Sequence, residues 1–134
     1  MITLEELRSI PYIYKHIQKK REQLIFLLEK AISVQSPQGR ESEKVQTSQD
    51  NNVNKYSEEA IDLKNEIDED MLRLRELQRE AAAFIGTIKD KDAKKVLRLR
   101  YLKCFTWDEI AELTIYNARS LQRIEYEATF ILRS

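Results

Sequence analysis

Helix breakers are nearly absent from this chain. Across 134 residues only Pro11, Pro37, Gly39 and Gly86 interrupt a sequence dominated by Leu, Ile, Glu, Lys, Arg and Gln. Those side chains lose little rotamer freedom in a helix, whereas tight strand-to-strand turns need glycine at positions this sequence does not supply. The expected fold class is all-α. Its predicted layout is a long, coiled-coil-like helical hairpin over 1–88 and a C-terminal helix-turn-helix bundle over 89–134.

The hairpin is read from its periodicity. Thr3 and Glu6 form a capping box that starts a short helix over Leu4 to Ile10, which Pro11 is expected to bend or stop. From Tyr12 to about Ser33 a narrow apolar stripe runs through Ile13, Ile17, Leu24, Leu28 and Ala31, widened by Leu27 and Ile32. Residues at about 34–54 are polar, carry Pro37 and Gly39, and have too few apolar side chains to offset their ordering entropy, so a flexible linker is expected there. Ser57 then caps a second helix. Ala60, Ile67, Leu74, Ala81 and Ile88 repeat every seven residues, with Leu63, Leu77 and Phe84 on one flank and Met71 and Ile85 on the other. A sustained heptad favours shallow-angle packing against another helix. The Tyr12–Ser33 helix is the obvious partner, and a second copy of the chain is the alternative, which makes a homo-oligomer through the hairpin an open expectation.

Several function classes are disfavoured. One His (His16) and one Cys (Cys104) cannot assemble a soft-ligand metal cluster, so no metal or cofactor is expected. No Gly-rich phosphate loop or nucleophile elbow occurs. Glu66, Glu69 and Asp70 cluster within one turn but lack a base partner, and a solvated face explains them better than catalysis does. The expectation is of a protein that is not an enzyme. The longest apolar run, Leu24 to Leu28, is far short of the ~20 residues that span a bilayer. With no secretory leader at its start, the chain is expected in the cytoplasm, that of a bacterial host, without a membrane partner. Net charge is zero but unevenly spread: residues 55–85 hold nine Asp/Glu against five Lys/Arg, and residues 86–134 hold ten Lys/Arg against seven Asp/Glu.

The C-terminal segment is the most informative. Three helices are expected, at about Asp92 to Leu102, Trp107 to Leu113 and Ala118 to Leu132. Val96, Leu97, Leu99 and Tyr101 give the first its apolar contacts. Thr106 opens the second with a capping box to Glu109, and Ile110, Ala111 and Leu113 form its core face. Asn117 caps the third, whose stripe is Leu121, Ile124, Ala128 and Ile131. The short Thr114-Ile115-Tyr116 connection suits a helix-turn-helix pair.

The ordered series Val96-Leu97, Leu99-Arg100-Tyr101, Thr106, Glu109-Ile110-Ala111, Asn117 and Leu121 resembles region 4 of bacterial sigma factors. Glycines usual in that family are replaced here by Cys104 and Ile115; a left-handed residue at either place would be strained, most of all the β-branched Ile. A helical hairpin ahead of such a module also resembles the ArpU/RinA-like transcription regulators of Gram-positive phages and prophages. The resemblance implies that the third helix enters the major groove of double-stranded DNA, with Asn117 at its start and Arg119, Ser120, Gln122 and Arg123 reaching base edges or phosphates. Thr106 and its following amides would receive a phosphate, and Lys95 and Lys103 would add charge contacts. Trp107, Tyr101 and Tyr116 are expected at or near the core, Cys104 as a small filler and His16 at the surface. Three functions stay open: a sequence-specific transcription regulator that contacts RNA polymerase, a phage small terminase-like packaging subunit, and a protein-interaction module that does not bind DNA.

Overall fold

The computed structural model describes residues 1–34 and 43–133, with side chains at 1–32 and 55–133. Every regular element among the described residues is helical: α1 (Leu4–Val34), α2 (Glu43–Gly86), α3 (Lys91–Leu97), a π-helical segment (Arg98–Leu102), α4 (Trp107–Leu113), α5 (Ala118–Ala128) and a terminal 3-10 turn (Phe130–Arg133). The fold is all-α. Two compact units form, one from His16–Met71 and the other from Met1–Lys15 with Leu72–Ser134.

In the first unit α1 and α2 run antiparallel. Lys20 Nζ lies 2.7 Å from Asp70 Oδ2 and 3.4 Å from Glu66 Oε1, while the Phe26–Leu27 stretch lies level with Asp62 and Leu63. The hydrogen bond that Lys20 donates to Asp70 raises the lysine's pKa above its ordinary value. Two of the three carboxylates that cluster in the sequence, Glu66 and Asp70, are thus partners of one lysine. Ile17, Ala60, Leu63 and Ile67 are buried between the helices, as their spacing required, but Leu28 and Ile32 of the expected stripe face outward.

The second unit departs from the expected domain boundary at 88/89. Residues 89–133 share their compact unit with Met1–Lys15 and the end of α2. The reason is core size. Three helices of 7, 7 and 11 residues bury little by themselves, and the unit completes its interior with Ile2, Leu7 and Ile10 from α1 and Leu77, Ala81, Phe84 and Ile85 from α2. Gln78 fixes the junction: its side-chain amide donates to the carbonyls of Tyr101 (3.0 Å) and Leu102 (3.3 Å) at the end of the π segment.

Three helix boundaries differ from expectation. α1 passes through Pro11 without interruption. Leu7 and Ile10 before the proline and Ile17 after it are all buried, and this packing outweighs the single hydrogen bond that proline removes. α2 begins at Glu43, so 43–54 of the expected linker is helical; no breaker follows Gly39, and a helix already nucleated by its heptads extends at little cost. Residues 35–42 of that linker lie outside the described residues. α5 ends at Ala128, where buried Thr129 caps it by donating its hydroxyl to the Glu125 carbonyl at 2.8 Å, and the following 3-10 turn leaves Ile131 exposed. Leu113, expected in the α4 core face, is exposed as well.

Glu125 is the buried charge of this unit, at 5% exposure. Its carboxylate accepts from Arg8 Nε and Nη2 at 3.2–3.3 Å and from the Tyr101 hydroxyl at 3.1 Å. The Thr129 hydroxyl also lies 3.4 Å from it.

Two outcomes are expected. Leu7→Ala should destabilise the whole chain by about 2–5 kcal/mol in denaturant melts, because it opens a cavity in this core. Burial first, and then the Glu125 carboxylate, push the Tyr101 phenol far above its ordinary range. An unfolded phenol ionises near pH 10. The unfolded chain therefore loses this proton first, and stability should fall as the pH rises beyond about 10. In Tyr101→Phe that alkaline decline should flatten, and neutral-pH stability should drop by roughly 1–3 kcal/mol through the lost bond to a carboxylate.

Candidate nucleic-acid interface

The α4–α5 pair is assembled from local capping. Thr106 Oγ1 accepts from the Glu109 amide at 3.1 Å while Glu109 Oε1 accepts from the Thr106 amide at 2.9 Å, closing the capping box foreseen from sequence. Thr114 ends α4 by donating its hydroxyl to the Ile110 carbonyl at 2.9 Å and then accepts from the Tyr116 amide at 3.3 Å. Asn117 Oδ1 accepts from the Ser120 amide at 2.8 Å and starts α5. Tyr116 donates its hydroxyl to Asp92 at 2.9 Å, tying the turn to α3.

The two replaced glycines behave differently. Cys104 has φ +59°, so a left-handed residue does stand there, in a side chain that tolerates it poorly. Its thiol sits 3.8 Å from the Tyr101 carbonyl and 3.6 Å from the Gln78 amide, and burial raises its pKa above the ordinary thiol value. Ile115 avoids a positive φ altogether, because the Thr114 hydroxyl builds the turn instead, and its side chain is 94% exposed.

Around α5, Leu121 and Glu125 are buried while Arg119, Gln122 and Arg123 are exposed on the opposite arc. None of these three has a hydrogen-bond or ion-pair partner among the described residues. Ser120 is half-buried at the edge of that arc. Thr106 and Asn117 are exposed, yet their side chains already serve as caps, and the Thr106 amide is taken by Glu109. Lys95 is exposed on α3 and borders a shallow cleft with Asp92, Glu112 and Tyr116; Lys103 is exposed at the end of the π segment. The eight expected residues therefore divide into two caps, two separate lysines, and a compact α5 group.

Sequence spacing did not reveal what flanks Gln122. A cleft of about 390 Å³ there is lined by Arg8, Tyr12, Arg100, Trp107 and Tyr126. Arg100 stacks on the Trp107 ring at 4.7 Å and donates to the Phe105 carbonyl at 3.1 Å. Trp107 is half-buried, with the Arg100 guanidinium over its ring. Nothing in local periodicity links residue 8 to residue 122. No cluster of three metal-binding side chains occurs among the described residues, and no helix there is long and apolar enough to cross a membrane.

Residues 33–130 match a family model described as "Protein of unknown function (DUF1492)". The chain belongs to this DUF1492 family. The match takes in α2 through α5, including Tyr101 and Glu125, but leaves out Arg8. No curated protein and no solved structure matches the chain.

Relief of the left-handed strain can be measured. Cys104→Val should lower stability by about 1–3 kcal/mol, since a β-branched residue is least able to hold positive φ. Cys104→Gly should be neutral or stabilising in the same melts, because glycine adopts that conformation freely.

Proposed function

We propose that this DUF1492 protein is a sequence-specific double-stranded DNA-binding regulator of transcription, of the phage or prophage type, that reads its site with α5. One observation carries the reading. The first two turns of α5 present Arg119, Gln122 and Arg123 to solvent without partners among the described residues, while Leu121 and Glu125 anchor the opposite side. A helix seated in the major groove reads bases with just such N-terminal exposed positions. Arg suits the paired acceptors of guanine and Gln the acceptor and donor of adenine. The short, capped connection from α4 and the likeness of this segment to sigma region 4 support the same assignment, and the latter extends it to contact with RNA polymerase.

Local electrostatics agree with it. Overall charge is zero, but protein fields act through their distribution. Glu125, the acidic residue facing away from the exposed arc, is neutralised by Arg8. Arg119 and Arg123 stand four residues apart on that arc and share one side of the helix.

Selection from random duplexes by the full-length chain should return a defined motif. Arg119→Ala and Arg123→Ala should each weaken binding to it by roughly 10- to 100-fold while leaving the circular dichroism spectrum unchanged. Lys95→Ala and Lys103→Ala should instead lower the salt dependence by about one charge each, without altering the selected motif. Absence of enrichment over non-specific binding would overturn the proposal.

A further inference from the structure

We propose that one flank of the α1–α2 hairpin, carrying Ile25, Leu28, Ile32 and Ile61, is a self-association surface on which a second copy of this chain docks. These side chains are 56%, 47%, 67% and 60% exposed, in a hairpin whose buried interior is narrow. Their placement is regular. Leu24, Leu27 and Ala31 are half-buried apolar positions of α1 in the hairpin, and Ala60 is a buried position of α2. Each exposed residue follows one of these by a single position. In an antiparallel pair of right-handed helices, positions one residue beyond the facing ones fall on the same flank of both helices. The four branched aliphatics therefore form one patch, of the kind that marks a protein-protein contact. Phe26 is excluded from it, since it projects elsewhere on α1 and lies under the Lys30 ammonium at 5.4 Å.

Charge identifies the occupant. Over 16–34, α1 holds four Lys/Arg against two Glu; over 55–71, α2 holds seven Asp/Glu against two Lys. A two-fold axis along the helices sets α1 of one copy against α2 of the other, basic against acidic, with every neighbour antiparallel as in a four-helix bundle. Arg21 and Asp68 follow Lys20 and Ile67 by one residue and so lie on the same flank. They also stand level, because Lys20 reaches both Glu66 and Asp70. In the symmetric pair Arg21 of each copy then faces Asp68 of the other. A surface whose two halves complement each other fits its own copy better than an unrelated partner.

This inference does not rest on DNA binding, and its test needs no DNA. Sedimentation equilibrium of the full chain at micromolar concentration should give twice the 15.9 kDa monomer mass. Ile25→Asp should yield monomers with helical content intact, because the side chain is already exposed. Arg21→Glu should raise the dissociation constant about tenfold or more by placing like charges together, and Arg21→Glu with Asp68→Arg should restore it. The charge-reversal pair decides the matter if Ile25→Asp fails to fold. A monomeric wild type, a larger assembly, or a dimer indifferent to these substitutions would each overturn the proposal.

Discussion

The C-terminal half of this protein is organised around one buried carboxylate. Removing Glu125 from water costs several kcal/mol unless its lone pairs are met, and the chain meets them from two directions. Arg8 comes from α1 and Tyr101 from the π segment, while the Thr129 hydroxyl, committed to the Glu125 backbone carbonyl, lies 3.4 Å from the carboxylate. An aliphatic residue at this position would pack against the same neighbours without specifying which of their faces must meet. The carboxylate requires a guanidinium and a phenol at hydrogen-bond distance, and so fixes how α5 sits within its unit.

The irregular backbone nearby follows from that requirement. After Leu97 the chain widens into a π turn, with the Lys103 amide bonded to the Arg98 carbonyl at 3.0 Å, and then reverses at left-handed Cys104. The Tyr101 ring is buried and its hydroxyl reaches Glu125, while Gln78 from α2 satisfies the carbonyls that the turn frees at Tyr101 and Leu102. π turns and positive φ in a non-glycine residue are sparsely populated, and they persist where surrounding contacts over-determine them. Here those contacts are the carboxylate on one side and the Gln78 amide on the other.

What was legible in the sequence is what depends on near neighbours. Ala60, Ile67, Leu74 and Ala81 announce the buried stripe of α2 by period, and all four are buried. Thr3, Thr106 and Asn117 mark helix starts through bonds three residues long. The exposed arc of Arg119, Gln122 and Arg123 follows from 3.6 residues per turn. Pro11 misled because its local cost is real, while the burial of Leu7 and Ile10 that overrides it is in a unit shared with the far end of the chain. Glu125 escaped notice because a lone glutamate at a core phase reads as solvated until a partner 117 residues away is known. Arg8, Tyr12 and Arg100 beside Gln122 were invisible for the same reason.

The same long-range pairing bears on how a neutral chain could engage a polyanion. Glu125 is acidic and belongs to the helix whose outer arc carries Arg119 and Arg123, which have no partner among the described residues. Were it turned to the surface, it would lie among Arg119, Gln122 and Arg123 and cancel part of their field. Withdrawn into the core, it is compensated by a cation recruited from α1, so its charge is settled inside the fold and the outer arc keeps its own. Glu127 remains on the exposed side, but it lies beyond the first two turns, where a groove-seated helix has already begun to leave the bases. The net charge of zero thus includes groups committed to one another, Arg8 with Glu125 and Lys20 with Glu66 and Asp70. What a phosphate backbone would meet is the uncommitted remainder, and at the start of α5 that remainder is positive.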